Sequence, residues 1–319
     1  MNILEKLQSV LILLSVGIGL LLGQFYFFEK YAGSFILPFL LLMLYGLFLT
    51  VPLTNIRNSL KNVSFLSTTI IINFVWTPLL AWGLGAIFLS DHPALWLGFI
   101  LLLVTPCTDW YLIFTSIAKG NVSLSTSILP INLILQIVLL PVYFLLFAST
   151  MENVELMPVL ESVIFVLFIP FILANLTRYL FKRRKRFFEN KLIPFFASSQ
   201  IVFLCLAIVA MFASQGYYLL NNISIILLIL IPLLLFFIIN FLVAQTVGKV
   251  FNFSYQNLVS LNMTIIARNS PVALAIVVTA FPTEPLIALV LIIGPLIELP
   301  VLALLAQSLL RIKSNKRVN

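Results

Sequence analysis

Long apolar runs, cut at intervals by short polar or charged segments, organise this chain from end to end. A helix needs about 20 predominantly apolar residues to cross the hydrocarbon core of a bilayer. Runs of that order fall near residues 10–28, 34–53, 65–89, 94–118, 124–149, 157–180, 192–213, 219–247, 257–280 and 286–310. They are continuous and do not alternate apolar with polar, which argues against an outer-membrane barrel. The pattern predicts an all-α membrane protein with ten transmembrane helices.

Composition narrows the classes further. Hydrophobic residues make up 62% of the 319 residues and charged residues 9%, with a mean hydropathy of +1.18. A soluble domain is about 45–50% apolar and about 25% charged, so a cytosolic enzyme, a disordered chain and a nucleic-acid binder are excluded despite the net charge of +8. Two cysteines exclude a disulfide framework, and the sole histidine, His92, stands beside Asp91 in a polar loop, which leaves little for a zinc site. There is no Gly-rich phosphate loop and no Ser/His or paired-Asp set. Neither an enzyme nor a cofactor is expected.

The basic residues orient the helices. With a cytoplasmic N-terminus, every Lys and Arg except Lys30 and Arg268 falls in an inner segment or the C-terminal tail. The outer loops then hold Glu29, Asp91, Glu152, Glu155, Glu161 and Glu284. The positive-inside rule predicts this partition. Both termini are therefore expected in the cytoplasm of a multi-pass protein of the cell inner or plasma membrane. The first run has one Lys before it and no small-residue cleavage site, so it reads as a retained helix rather than a signal peptide. The basic loop 178–191 after the sixth helix adds attraction to anionic lipid.

Five helices per half make the second half inverted relative to the first. The repeats are assigned to residues 1–177 and 150–319, interleaved, with loop 178–191 within the second. Weak echoes support this. The fourth and ninth helices carry the polar, proline-bearing interruptions Thr105-Pro106-Cys107-Thr108-Asp109 and Arg268-Asn269-Ser270-Pro271, and the fifth and tenth both carry Leu-Pro-Val. Inverted repeats with helices broken at matching positions point to the binding site of a secondary transporter.

Three charges sit deep within the runs: Asp109, Arg268 and Glu298. Each costs about 2.5–3.5 kcal/mol at a bilayer centre on insertion scales, so it is expected to pair or to face a wet cavity. Asp109 and Arg268, at the two interruptions, are the natural pair if those helices cross; such a pair either fastens the crossing or serves transport. Glu298 has no evident basic partner. That situation suits a proton carrier, or else a carboxyl bonded to the carbonyl that Pro300 frees. Cys107 lies where Pro106 opens the helix. Its thiol is either a small apolar filler or a soft ligand for a thiophilic metalloid. Asn132 and Gln136, four apart, share a helix face; with Asn269 and Ser270 they offer neutral hydrogen bonds, although membrane helices also use such residues for packing. Trp110, at the fourth interruption, is placed to line a cavity.

These segments resemble the bile acid:sodium symporter superfamily, and within it the arsenical-resistance permeases that export arsenite. Cys107 followed by Ala118-Lys119-Gly120, then Asn132-Leu133-Ile134-Leu135-Gln136-Ile137 and Pro141-Val142-Tyr143, are similar to the family's fourth and fifth helices. Gly294-Pro295-Leu296-Ile297-Glu298-Leu299-Pro300-Val301 is similar to its tenth. The resemblance implies a panel domain and a core domain whose broken fourth and ninth helices cross. It also departs from the family. Pro106 and Pro271 stand where the arsenite permeases carry an arginine and a glutamate, while an acid, Asp109, appears in the fourth helix and a base, Arg268, in the ninth. Sodium-coupled relatives carry Glu and Gln at positions resembling Thr264 and Arg268, so no sodium dependence is expected.

The resulting expectation is a secondary transporter that exports trivalent arsenic or antimony against protons. Cys107 would contact the metalloid, with Asp109, Asn132, Gln136, Arg268, Asn269 and Ser270 around the substrate and Glu298 or Asp109 carrying the proton. The alternative substrate is an organic anion, bile-acid-like or a small carboxylate, bound through Arg268. Expected partners are that small substrate and the lipid bilayer, with no nucleic acid; homo-oligomerisation is compatible with the composition.

Overall fold

The computed structural model describes residues 8–51, 62–108, 110–147, 156–220, 223–282 and 284–318. Its elements are α1 (Gln8–Leu22), α2 (Tyr26–Tyr31), α3 (Gly33–Thr50), α4 (Val63–Ile71), α5 (Thr77–Phe88), α6 (Pro93–Leu103), α7 (Trp110–Ile117), α8 (Val122–Phe147) and α9 (Leu156–Leu180). Then follow α10 (Ile193–Leu220), α11 (Ile223–Val250), α12 (Tyr255–Ile266), α13 (Ser270–Ala280) and α14 (Pro285–Val318). Among the described residues there is no strand. Among the described residues, six helical stretches are long and apolar enough to cross a bilayer: Gly33–Thr50, Val63–Phe88, Val122–Phe147, Leu160–Gln215, Leu227–Val250 and Pro285–Lys313. This is an all-helical membrane protein.

The first apolar run does not continue helically to residue 28 as the hydropathy suggests. The helix ends at Leu22, and Tyr26–Tyr31 forms a separate short helix. Hydropathy follows where the chain is greasy, whereas a break depends on backbone torsions that apolar content does not encode.

Local chemistry sets several boundaries. The Asn62 side chain accepts from Phe65 N at 3.1 Å and starts α4, and Ser254 caps α12 through Asn257 N at 3.3 Å. Lys119 and Asn252 take positive φ, at 58° and 51°, just past the ends of α7 and α11. The next amides then turn back, Gly120 N onto Thr115 O at 2.8 Å and Phe253 N onto Gly248 O at 2.8 Å. This is the left-handed stop that satisfies the last carbonyls of a helix.

The chain forms two compact units. The first comprises residues 1–51, 155–226 and 271–292, the second 52–154, 227–270 and 293–319. In the first, α3 packs against α9 and α10, and α10 also packs against α1. Arg178 Nη2 donates to the carbonyls of Phe48, Leu49 and Val51 at 2.7, 3.1 and 2.5 Å, closing the C-terminal end of α3. The second unit holds the interruption of the fourth helix and, of the ninth, Arg268, Asn269 and Ser270, together with almost all of the chemistry singled out above.

Candidate functional site

The site follows from two prolines. A proline has no N–H, so the carbonyl four residues earlier loses its helical donor. Pro106 frees the carbonyl of Leu102, and the Thr105 hydroxyl takes it at 3.1 Å. Pro271 frees the carbonyl of Ala267, and Cys107 N takes it at 3.0 Å from the other broken helix. In return Asn269 N donates to Thr105 O at 2.7 Å. Pro106 and Arg268 thus form an isolated antiparallel bridge. The two interruptions cross and exchange backbone hydrogen bonds. Around the bridge, the Thr105 hydroxyl shares its one proton with Asn269 O, also at 3.1 Å, and Asn269 Nδ2 donates to Thr108 Oγ1 at 3.2 Å.

The exchange leaves acceptors over. Cys107 N no longer serves Leu103 O, Asn269 N no longer serves Ile265 O, and α12 ends at Ile266. Two helix C-termini, those of α6 and α12, therefore present carbonyl oxygens and negative dipole ends to one place. Arg268 fills it. Nη1 donates to Leu103 O at 2.9 Å and Nε to Ile266 O at 3.3 Å. Nη2 donates to Asn73 Oδ1 at 3.2 Å and also to Ile265 O. The guanidinium carbon lies over the Phe236 ring, 5.2 Å from its centroid, as in a cation–π contact. Arg268 is only 2% exposed, and all three guanidinium nitrogens have oxygen partners.

Its backbone does the opposite job. Arg268 N, released from helical duty, donates to Glu298 Oε1 at 3.0 Å, and Glu298 is 1% exposed. The carboxyl that lacks an evident partner in the sequence is therefore held by the backbone of the crossing rather than by the carbonyl that Pro300 frees. Gly294, one turn earlier on α14, permits the approach, since a Cβ there would stand 2.7 Å from Leu102 Cδ1 and Cδ2. Asp109 lies outside the described residues. The partners seen on the Arg268 side chain are backbone oxygens, Asn73 and Phe236.

Cys107, Asn269 and Ser270 are brought together at the crossing, all buried, and Trp110 is buried at the start of α7. Asn132 and Gln136 are buried on one face of α8, and neither amide oxygen nor amide nitrogen finds a partner among the described residues. Ser125 Oγ, Asn262 Oδ1, Asn73 Nδ2 and Asn240 Oδ1 are likewise buried without a partner there. A buried amide left without a partner costs about 1–3 kcal/mol.

Asn73 was not legible from the sequence as a site residue. It sits in a π-helical turn, Ile72–Trp76, where Thr77 N bonds to Ile72 O. Such widened turns gather at functional sites. The cause is again a proline: Pro78 cannot serve Phe74 O, and the Tyr143 hydroxyl donates to that carbonyl at 2.7 Å. Pro78 within an apolar run was the available signal.

An all-helical, membrane-spanning chain with two broken helices exchanging backbone bonds at a polar, charged crossing belongs to the class of membrane transporters. The model of the Sodium Bile acid symporter family matches residues 37–222, more than half of the chain. The chain belongs to that family. It is 24% identical to the arsenical-resistance protein Acr3 of Corynebacterium glutamicum, over 97% of this chain and 89% of that protein. Against an uncharacterized transporter, slr0944, of Synechocystis the identity is 24%, covering 96% and 88%. Acr3 of Alkaliphilus metalliredigens is also 24% identical, covering 83% and 78%.

Proposed function

We propose that this transporter exports trivalent arsenic or antimony species from the cytoplasm by exchange for protons, without using sodium. The observation that carries the reading is the backbone exchange around Cys107. It holds a buried thiol in opened chain, beside Asn269 and Ser270, where a soft ligand for a thiophilic metalloid is of use. Two relatives bear the name arsenical-resistance protein. The orphaned amides of Asn132 and Gln136 supply further hydrogen bonds to a small hydroxylated substrate.

Glu298 is the proton-linked carboxyl in this reading, with Asp109 as second candidate. Arg268 supports independence from sodium. Carbonyl and amide oxygens are the ligands a hard cation seeks, and here a tethered guanidinium already has them. The same bonds weigh against an organic anion held by Arg268, because its nitrogens would first have to abandon buried acceptors. The reading takes the chain as ten helices in two inverted five-helix repeats, with both termini in the cytoplasm.

Arsenite accumulation in cells lacking their own exporter tests it. Expression of the wild type lowers accumulation, and Cys107→Ser abolishes that effect while the protein remains in the membrane. Full export by Cys107→Ser would remove the thiol from the mechanism.

A further inference from the structure

The densest charge on the chain lies far in sequence from the crossing, in the segment between α9 and α10. It carries Lys182, Arg183, Arg184, Lys185, Arg186 and Lys191 against the single acid Glu189, and all of these are exposed. Glu189 reaches only Lys185, at 3.6 Å, which is the one ion pair among the described residues. Arg178 is different in kind, because its guanidinium closes the end of α3. Among the described residues, the cations beyond it in this segment have no comparable hydrogen bonds to the main chain.

The backbone compacts this segment. A 3-10 turn (Phe181–Arg184), a single helical turn (Lys185–Phe187) and a π turn (Phe188–Leu192) follow one another. Phe181 stacks on Phe187 at 5.8 Å and on Phe188 at 6.4 Å between centroids. Each end runs into an apolar helix, so the segment is tied to the bilayer surface. Tyr179, Leu180, Phe187 and Phe195 stand exposed beside it, at 74%, 66%, 46% and 61%. Aromatic residues and cations combined in this way are what a membrane–water interface selects.

We propose that residues 179–195 form a binding surface for anionic phospholipids, the cations holding headgroup phosphates and the exposed aromatic and apolar side chains meeting the acyl boundary. Charge complementarity selects this occupant. Clusters of Lys and Arg beside a membrane helix attract anionic headgroups, and guanidinium forks pair with phosphate oxygens bidentately. A zwitterionic headgroup offers no net charge to such a surface. Like charges packed this densely repel one another, at the junction of two helices that both pack against α3. Anionic lipid relieves that repulsion and stabilises the first unit.

Thermal unfolding of the whole protein in nanodiscs tests the proposal. In the wild type, the midpoint rises with the fraction of phosphatidylglycerol in phosphatidylcholine, and high salt shrinks the rise. The combined variant K182Q, R183Q, R184Q and R186Q unfolds no earlier than the wild type in pure phosphatidylcholine and shows no rise with phosphatidylglycerol. A charge-keeping variant, R183K, R184K and R186K, retains most of the rise, which separates lost charge from faulty folding. An undiminished rise in the neutralised variant overturns the proposal. So does an equal rise produced by soluble polyphosphate in pure phosphatidylcholine, which would make the occupant a dissolved polyanion.

Discussion

The backbone N–H of Arg268 holds Glu298 Oε1 at 3.0 Å, while the guanidinium of the same residue bonds to Leu103 O at 2.9 Å, on another helix. One residue thus supplies a donor to a buried acid and a fixed cation to a cluster of freed carbonyls. Two prolines create the need: each break removes helical donors, and among the described residues the crossing returns two of them, Cys107 N and Asn269 N, to the other broken helix. What remains is an excess of acceptors, and an arginine is the side chain with the most donors.

Arg268→Ala leaves the carbonyls of Leu103, Ile265 and Ile266 buried without those donors. A loss of about 1–3 kcal/mol is expected for each buried acceptor left without a donor. The midpoint of thermal unfolding in detergent reads it. Arg268→Lys, a point charge without the planar fork, falls between. A midpoint unchanged in Arg268→Ala would mean that the guanidinium is not what satisfies the crossing.

Glu298→Gln keeps an oxygen that can accept from Arg268 N, so the fold survives while the titrating group is gone. Export is expected to persist at a reduced rate and to lose its dependence on an imposed pH gradient, measured in vesicles. Glu298→Leu also orphans the Arg268 amide and costs about 1–3 kcal/mol. Undiminished gradient dependence in Glu298→Gln would dismiss it as the proton carrier.

Tyr143→Phe removes the hydroxyl that donates to Phe74 O, a carbonyl that Pro78 cannot serve. A loss of about 1–3 kcal/mol is expected. Because the same π turn carries Asn73 to Arg268, Tyr143→Phe and Asn73→Ala are expected to be less than additive in a double-mutant cycle. Strict additivity in unfolding midpoints would show that the turn and the Arg268 contact are independent.

Asn132→Leu and Gln136→Leu exchange buried, partnerless amides for apolar groups of similar size. Stability is expected to stay level or rise, while export falls, as for residues kept for function. A clear drop in the unfolding midpoint would instead make the two amides structural.

The helix breaks were legible because proline and clustered polar residues interrupt otherwise unbroken apolar runs. Cys107, Asn269 and Ser270 came with them. The partners of Arg268 were not legible, since most are main-chain oxygens whose availability depends on which helix gives up which donor, and that is a property of the crossing. Asn73 was hidden for a similar reason. It looks like one polar residue in an apolar helix until Pro78 and Tyr143 are seen to shape the turn that carries it. Glu298 was found by its charge, but its tie to Arg268 runs through a backbone amide, which no side-chain pattern reveals.

Arsenite flux in proteoliposomes under an imposed proton gradient, for the wild type and Cys107→Ser, with sodium or potassium as the only alkali cation, tests the central claim most directly. The account predicts flux that follows the proton gradient, is the same in either salt, and vanishes in Cys107→Ser. Flux that requires sodium, or that is equal in Cys107→Ser and the wild type, would contradict it.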